Sequence, residues 1–296
     1  MVTEFDSVNL GAWVGKQESL QDTITAAPVR LMSALLGRDD ALPNPGDSLS
    51  PLWHWLYFLP AAKTSDMAED GHPQRGGFLP PVPLPRRMWA GGSLEFFAPI
   101  LVGDVLTRTS RIQSITPKKG RGGELVFVCV EHQYLGAQGL CLSETHDIVY
   151  RSMPAVTDKP LPPIGAHVMV ETGNGEAEVW SRDAVPDEVL LFRYSALTFN
   201  AHRIHYDRPY ASAVEGYPGL VVHGPLMATL LLDLLRSHTD RVVKRFSFKA
   251  VRPIFECQDQ RRMRLNAQMR IDGKHCRLWA QDHDDWLTMQ ADAELA

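Results

Sequence analysis

Apolar residues recur along the chain at two different spacings, and the spacing changes from one stretch to the next. Between residues 24 and 36 they fall at helical intervals and Gly37 follows, which predicts a helix that ends at a glycine. From residue 94 to 150 the runs are those of strands, and the continuous apolar run 125–130 is typical of a buried central strand. The first half is therefore predicted to form a helix followed by antiparallel strands.

The second half repeats this order. Residues 223–237 predict a helix that begins at His223-Gly224-Pro225, because proline is well tolerated in the first helical turn. Most of its positions are apolar, as expected of a helix nearly enclosed by protein, and one narrow stripe is left to face solvent. The stripe consists of Thr229, Asp233, Arg236 and Ser237. Residues 263–271 alternate between apolar and polar, which predicts a strand with one wet face.

Two halves with the same element order indicate an internal duplication, and Pro99 and Pro253 follow similar apolar segments in the two halves. An antiparallel sheet curled round one helix would enclose that helix, which is the hot-dog arrangement. We therefore predict an α+β protein with a double hot-dog fold, in which two antiparallel sheets are each wrapped round a central helix. The repeats are predicted as residues 1–155 and 156–296, with the proline-rich stretch 154–163 as the linker.

A long stretch rich in proline and glycine, residues 43–85, separates the first helix from the strands. It contains an aromatic island at residues 53–58. Loops of this length are usually functional or wrap a neighbouring element. The island is therefore expected to pack on the domain.

Composition narrows the class of protein. The 296 residues are 44% apolar and 22% charged, with 30 basic and 35 acidic side chains and a formal charge of −5. These values exclude a disordered or collagen-like chain. The mildly acidic balance argues against nucleic acid and an anionic membrane surface as partners.

The expected location is the cytoplasm. Residues 1–6 are acidic and lack the apolar core of a signal peptide. The most apolar stretch, residues 220–235, is too short to span a bilayer. The four cysteines form no Cys-x-x-Cys pair, which is typical of reduced structural thiols.

The densest group of polar residues is 198–208, and His205 within it lies between Ile204 and Tyr206. A histidine in such surroundings can act as a general base near neutral pH. One interpretation is therefore a histidine base that handles a water molecule with the amide of Asn200.

Two other chemistries can be written for the same group. His202, His205 and Asp207 have the residue types of a metal triad, but further ligands at usual spacings are missing. Ser195 with a histidine and Asp207 would make a hydrolytic triad, but no Gly-x-Ser-x-Gly elbow supports it.

Three segments carry a resemblance to a known family. Residues 198–207 resemble the hydratase motif of the MaoC-like, R-specific enoyl-thioester hydratase and dehydratase family. Residues 223–226 resemble the start of that family's central helix, and residues 84–92 resemble the N-terminal half of its two-hot-dog members. The chain is most similar to the subgroup that includes mitochondrial-type 3-hydroxyacyl-thioester dehydratases and the mesaconyl-C4-CoA and itaconyl-CoA hydratases.

The resemblance implies roles for individual residues. The family's base falls on His205, and its aspartate falls on Asn200, which cannot transfer a proton but can orient water. Backbone N–H groups at His223 and Gly224 would hold the thioester oxygen. Gly219 would let the backbone approach the substrate closely.

The resemblance also implies the reaction: reversible addition of water to a trans-2-enoyl-CoA without a metal or other cofactor, since coenzyme A enters as part of the substrate. A group of charged and aromatic residues near the motifs favours a short branched dicarboxylic acyl group of the mesaconyl-C4-CoA or itaconyl-CoA type. This predicted substrate-binding group consists of Arg86, Arg87, Arg203, Arg208 and Tyr206.

Three alternatives stay open at this point. One is a 3-hydroxyacyl-ACP or -CoA dehydratase of fatty-acid metabolism. Another is a hot-dog thioesterase, which would use a carboxylate on the central helix such as Asp233. The third is a non-catalytic acyl-CoA-binding regulator. The first half has no copy of the histidine motif, so we expect one site per chain, partly roofed by that half, in a monomer with internal pairing or a homodimer.

Overall fold

The computed structural model describes residues 9–120, 123–152, 178–256 and 262–296. Ten strands and four α-helices lie in these ranges, together with short 3-10 helices. The strands are β1 (Gln17–Thr23), β2 (Arg86–Phe96), β3 (Val105–Gly120), β4 (Gly123–Gly136), β5 (Gly139–Arg151), β6 (Val179–Ala184), β7 (Val243–Ala250), β8 (Met263–Met269), β9 (His275–Gln281) and β10 (Leu287–Leu295). The helices are α1 (Ala26–Leu35), α2 (Glu188–Leu197), α3 (Arg208–Ala213) and α4 (Gly224–Arg236).

The strands join into one antiparallel sheet with the order β1-β3-β4-β5-β2-β7-β10-β9-β8-β6. Read outward from its centre, the two halves have matching orders, β2-β5-β4-β3-β1 and β7-β10-β9-β8-β6. The two halves thus repeat the same strand order, as predicted. Their sheets are joined into one, because β2 pairs with β7 from Gly91 opposite Lys249 to Glu95 opposite Arg245. The predicted boundary at residue 155 and the linker 154–163 lie outside the described residues.

Helix α4 is the central helix of the second half and packs against β6, β8, β9 and β10. Its residues 226–235 are all buried. The prediction that its polar stripe faces solvent is wrong for Thr229 and Asp233, each 2% exposed. The Asp233 carboxylate accepts hydrogen bonds from Arg38 (2.7 Å) and Arg182 (2.8 Å), so two arginines from other elements take the place of water.

The predicted wet face of β8 is also wrong in part, because Asn266 is buried. Its Oδ1 accepts a hydrogen bond from the hydroxyl of Ser181 in β6 at 2.8 Å, and its Nδ2 donates to Gln281 in β9 at 3.0 Å. A buried amide is acceptable where both neighbouring strands supply partners.

The first helix and the aromatic island follow the predictions, whereas strand β1 was not predicted. Gly37, just beyond α1, has a φ of +67°, the left-handed conformation that glycine adopts readily at a helix end. The aromatic island is largely buried and packs in the core. Cys129, Cys141 and Cys276 are free thiols, and Cys257 lies outside the described residues. Among the described residues, no helix combines the length and apolar character needed to cross a bilayer.

Candidate active site

His205 ends a 3-10 helix (Arg203–His205) that lies between α2 and α3. Its Nδ1 lies 2.7 Å from the carbonyl oxygen of Val221. A carbonyl oxygen can only accept, so Nδ1 carries the hydrogen and Nε2 keeps its lone pair. The side chain is therefore held in the tautomer that a proton acceptor requires.

The charge state of His205 fits the same role. Burial lowers the pKa of this imidazole to about 4, because the charged form loses hydration in the interior. The ring is therefore neutral at physiological pH, and its Nε2 can accept a proton.

His205 lies at the N-terminus of α4. Its ring stacks on the ring of His223, the residue that precedes the helix, with centroids 3.7 Å apart. The first N–H groups of a helix have no partner inside it, and His223 makes no side-chain cap bond to them. Gly224, of the predicted pair His223 and Gly224, is the first helical residue, and because Pro225 has no N–H, Leu226 carries the next free backbone donor. An oxygen that gains negative charge would be stabilised here.

The side chain of His223 adds a feature that the sequence did not indicate. Its Nε2 lies 2.9 Å from the hydroxyl of Ser195, while its buried Nδ1 has no partner in the described part of the chain. Burial, supported by the charge of His205, holds its pKa well below the usual range. A buried polar atom without a partner costs about 1–3 kcal/mol, so a water molecule or a substrate atom is expected there.

The two other chemistries considered for this segment are not assembled. Asp207 caps α3, where its Oδ1 accepts the N–H of Tyr210 at 3.1 Å, and its Oδ2 pairs with Arg203 at 2.8 Å. Its carboxylate is thus occupied on its own helix, and Ser195 is bonded to His223 instead. Neither the hydrolytic triad nor the metal triad containing Asp207 is formed.

Asn200 has a local contact that fixes its orientation. Its Oδ1 accepts the backbone N–H of His202 at 3.0 Å. Because that partner is a donor, the amide must present Nδ2 as its free end. Asn200 is therefore available to donate a hydrogen bond to a water molecule.

A segment of the N-terminal half covers the histidine motif. A partial cover of the site by this half was predicted from the sequence. The ring of His72 contacts that of His202 at a tilt of 39°, with centroids 4.0 Å apart, and His72 Nδ1 lies 3.0 Å from Asp70 Oδ2. The carbonyl of Asp70 accepts the N–H of Arg203 at 2.9 Å. Sequence reasoning missed Asp70 and His72, although two polar side chains close together in a long loop were a signal for a site.

Four imidazoles thus form a row from His72 through His202 and His205 to His223. His72 also lines a cavity of about 450 Å³, together with Asp70, Arg87 and Tyr210. A larger cavity of about 890 Å³ lies among residues of β2, β5, β7, β8, β9 and β10, and the histidine motif does not line it. The smaller cavity is lined by His72 but not by His202, His205 or His223, so it meets the row of imidazoles at its His72 end.

Asp70, His72 and His202 are the described residues whose donor atoms could hold a metal ion, since these atoms lie within 4.8 Å of one another. The arrangement favours an imidazole–carboxylate pair over a cation. Asp70 already occupies Nδ1 of His72, and the positive charge of Arg87 acts on both rings. The expectation that no metal is required stays a prediction.

Three of the four arginines predicted to bind substrate are engaged elsewhere. Arg86 Nε lies 2.9 Å from Glu215 Oε2 and its guanidinium covers the ring of Tyr217. Arg203 pairs with Asp207 as described. Arg208 pairs with Glu188 at 2.5 Å and with Glu256 at 3.0 Å. These ion pairs hold the three arginines in the fold, and their predicted contact with the substrate stays a prediction.

Arg87 differs from these three arginines. Its side chain lines the smaller cavity beside His72, and no ion pair of Arg87 is found within the described residues. Its charge is close enough to lower the pKa of both His72 and His202. Arg87 therefore keeps the predicted role as a candidate for binding a substrate carboxylate.

Two further predictions of substrate contact stay predictions. The ring of Tyr206 is 46% exposed, and its hydroxyl donates to the carbonyl of Ala201 at 3.1 Å. At Gly219 the close approach that the structure shows is to protein, because an added Cβ would lie 2.9 Å from Glu256 Oε1.

Gly71 is expected to be indispensable for the contact between the two halves. It has a φ of +85°, and an added Cβ would lie 1.8 Å from the carbonyl oxygen of Ala201. Gly71→Ala must therefore displace the segment that carries Asp70 and His72. We expect at least a tenfold loss of kcat/KM, measured with the substrate of the proposed reaction.

Gly76→Ala is the matched control for this substitution. Gly76 has a similar φ of +92°, but its added Cβ would meet only Pro81, at an ordinary 3.7 Å. Both variants carry the same backbone strain, and only Gly71→Ala carries the clash. Equal activities of the two variants would contradict the importance of this contact.

The chain is an enzyme of the double hot-dog hydratase and dehydratase class, a carbon–oxygen lyase, and the neutral imidazole of His205 lies at a helix N-terminus. Residues 52–256 match the model of the hydroxyacyl-thioester dehydratase type 2 family. The chain belongs to that family.

Individual relatives agree with this assignment. The chain is 46% identical to mesaconyl-C(4)-CoA hydratase of Chloroflexus aurantiacus over 288 residues, which are 96% of this chain and 97% of that protein. It is 28% identical to mitochondrial hydroxyacyl-thioester dehydratase type 2 of Schizosaccharomyces pombe, covering 82% of this chain and 88% of that protein.

Solved structures show the same fold. A MaoC-like dehydratase superposes with a TM-score of 0.67 at 15% identity and covers 97% of this chain and 99% of its own. A Mycobacterium tuberculosis protein described as a double hotdog fold superposes with a TM-score of 0.59 at 15% identity, covering 99% and 98% of the two chains.

Proposed function

We propose that the protein catalyses the reversible addition of water to a short branched dicarboxylic trans-2-enoyl-CoA, with mesaconyl-C4-CoA as the first candidate and itaconyl-CoA as a related one. The observation that carries the reaction type is the neutral ring of His205, stacked against the N-terminus of α4. The 46% identity to a mesaconyl-C(4)-CoA hydratase supports the acyl group.

In the proposed reaction, His205 Nε2 removes a proton from water while the water oxygen forms a bond to the β-carbon. The electrons of the double bond move to the thioester oxygen, which becomes an enolate near the N–H groups of Gly224 and Leu226. The protonated ring then returns its proton to the α-carbon, so water is added with no change in oxidation state. Nδ2 of Asn200 orients the water. A donor to the enolate typically contributes on the order of 3 kcal/mol.

The second carboxylate of the substrate restricts where its partner can lie. In mesaconyl-C4-CoA this carboxylate is attached to the β-carbon, the atom that water attacks. Its cationic partner must therefore lie near the proton acceptor. Arg87 is the candidate, because it lines the cavity beside His72, whose ring contacts His202, the neighbour of His205 in the row. A guanidinium can bind a carboxylate with two parallel hydrogen bonds.

Arg87→Met is expected to lower kcat/KM for mesaconyl-C4-CoA by about 10- to 100-fold, the value of a charge-assisted hydrogen bond of about 1.5–3 kcal/mol. Crotonyl-CoA has no second carboxylate, so its kcat/KM should change less than about threefold. Arg86→Met is the neighbouring control and should affect both substrates equally, because Arg86 is paired with Glu215. Equal losses on both substrates in Arg87→Met would assign this arginine to folding or to coenzyme A.

A substrate panel tests the function itself. Purified protein is mixed with crotonyl-, mesaconyl-C1-, mesaconyl-C4- and itaconyl-CoA, and loss of the enoyl-thioester absorbance is followed. The fastest loss is expected with mesaconyl-C4-CoA. No hydration of any of them would refute the proposal, and release of free thiol would indicate a thioesterase.

The second candidate is a 3-hydroxyacyl-thioester dehydratase, which the family name and the yeast relative favour. It would act on longer unsubstituted acyl chains, on coenzyme A or acyl carrier protein, and would not depend on Arg87. A thioesterase is less well supported, because Asp233 on α4 is buried and paired with Arg38 and Arg182.

A further inference from the structure

The Asp70–His72 pair belongs to the N-terminal half, and each polar atom of its carboxylate has a defined partner. Oδ2 of Asp70 accepts from Nδ1 of His72 at 3.0 Å, and Oδ1 accepts the backbone N–H of His72 at 2.9 Å. A carboxylate can only accept, so Nδ1 of His72 carries the hydrogen and Nε2 does not. The carboxylate thus fixes both the tautomer and the orientation of the ring.

The ring of His72 is in contact with the catalytic motif. It contacts the ring of His202 in a tilted arrangement, with centroids 4.0 Å apart and planes at 39°. His202 in turn meets His205 edge to face, with centroids 5.4 Å apart and planes at 89°. His202 is only 9% exposed. Because these rings are packed together in the interior, a displacement of His72 is passed on to His202 and to the base.

Charge gives a second link between the two halves. Burial lowers the pKa of His202 to about 2, and the charge of Arg87 acts in the same direction, whereas the carboxylate of Asp70 opposes both. The position that resembles the family's aspartate is Asn200, which has no charge. Asp70 supplies a carboxylate to the histidines from the other half of the chain.

We propose that Asp70 and His72 are positioning residues for the hydration: Asp70 orients His72, and His72 holds His202 against His205. The unit that accepts the proton of water is then built from both halves of the chain. This inference rests on the proposed function. Neither Asp70 nor His72 gains or loses a proton in the reaction, which still runs from water to His205 and from His205 to the α-carbon.

Asp70→Asn is the sharpest test, because it changes a hydrogen-bond acceptor into a donor at nearly constant volume. The single oxygen of the new amide can accept the backbone N–H of residue 72, and the NH₂ group must then face Nδ1 of His72. This reverses the tautomer of the ring. We expect kcat to fall at least about tenfold with KM changed less than about threefold.

The pH profile separates this role from a general structural one. Removing the carboxylate removes an effect that raises the pKa of His72 and His202. The acid limb of kcat/KM reports the base His205, and Asp70 is not among the groups that shift its pKa. The limb should therefore stay in place while kcat falls, whereas a general opening of the site would hydrate His205 and raise its pKa. The groups that face these two rings are Asp70, Arg87 and His205, with Arg75 also acting on His72, and all but Asp70 are unchanged in the variant.

Asp66→Asn is the matched control, since Asp66 is an exposed carboxylate of the same segment whose side chain accepts a hydrogen bond from Ser65. It should leave kcat and the pH profile unchanged. If Asp70→Asn folds poorly, as judged from its melting temperature, His72→Gln replaces it and should show the same loss of kcat. Wild-type kcat in a folded Asp70→Asn protein, or a loss of kcat accompanied by an acid limb moved to higher pH, would overturn the inference.

Long-range ¹H–¹⁵N NMR spectra of the imidazoles provide a readout that needs no substrate. Asp70→Asn should convert His72 to the Nε2–H tautomer and shift the signals of His202 and His205, and Asp66→Asn should not. Unchanged signals of His202 and His205 would overturn the inference even in an active enzyme. Wild-type protein that hydrates no thioester would refute the proposed function instead. If a chelator abolished the activity and Zn²⁺ restored it, Asp70, His72 and His202 would form a metal site and not a positioning unit.

Discussion

His205→Ala is expected to lower kcat for hydration by at least about 10²-fold, the lower end for loss of a general acid–base group. The imidazole is the acceptor of the water proton and the donor to the α-carbon, and its Nδ1 bond to Val221 leaves Nε2 free for both steps. A small cavity replaces the ring, so KM should change much less. The measurement is steady-state hydration of mesaconyl-C4-CoA with each purified protein.

His275→Ala is the control for this result. His275 is half exposed and pairs with Asp272 at the start of β9, far from the motif in sequence. Its loss should leave turnover unchanged. A folded His205→Ala protein with turnover within threefold of the wild type would remove His205 from the mechanism.

Glu144→Gln is expected to lower the free energy of unfolding by about 3 kcal/mol, the lower end for breaking a buried ion pair. The carboxylate of Glu144 in β5 is fully buried and lies 3.0 Å from His54 Nε2 and 2.6 Å from His146 Nε2. It also accepts from Trp55 at 2.7 Å and Tyr134 at 3.1 Å. Glutamine keeps the volume but leaves donors in the interior without acceptors.

The loss of stability in Glu144→Gln should become smaller as the pH falls. Although burial opposes ionisation, the attraction of His146 and His54 holds the pKa of Glu144 well below its usual 4.5. A depressed carboxyl pKa stabilises the folded state above the unfolded pKa, and this contribution is lost as the pH falls below 4.5. Urea unfolding should therefore show a larger difference between the wild type and Glu144→Gln at pH 7 than below pH 4.

Glu95→Gln makes the same chemical change at the surface. Glu95 is 42% exposed and pairs with the exposed Arg245 at 2.7 Å, a pair worth at most about 1 kcal/mol. A similar small loss for Glu144→Gln would show that the buried network contributes little to stability.

The sequence could predict elements whose apolar pattern is strong. Helix α4 and strands β3 to β5 were predicted because their buried faces repeat regularly. Strands β1 and β6 were missed, since both are edge strands with mostly exposed or half-buried positions. Burial of Asp233 could not be predicted either, because its partner Arg38 lies 195 residues away in the chain.

The residues of the site also divide into those that the sequence could predict and those that it could not. His205, His223 and Gly224 lie in two short motifs, and the fold brings these motifs together. Asp70 and His72 reach the motif only when the chain is folded. Nothing in the sequence around them therefore indicates that they contact His202. The pairing of Arg86 with Glu215, 129 residues apart, was hidden for the same reason. Glu144 carried a weak signal, since it alternates with the buried Leu142 on one face of β5.

The seam between β2 and β7 has a consequence for how the enzyme behaves at low abundance. Because one covalent chain carries both halves, their encounter is intramolecular, and its effective concentration is set by the connecting chain. The contact of His72 with His202 forms within one chain and does not depend on the protein concentration. Dilution should not separate the two halves, so the part of the specific activity that depends on this contact should stay constant.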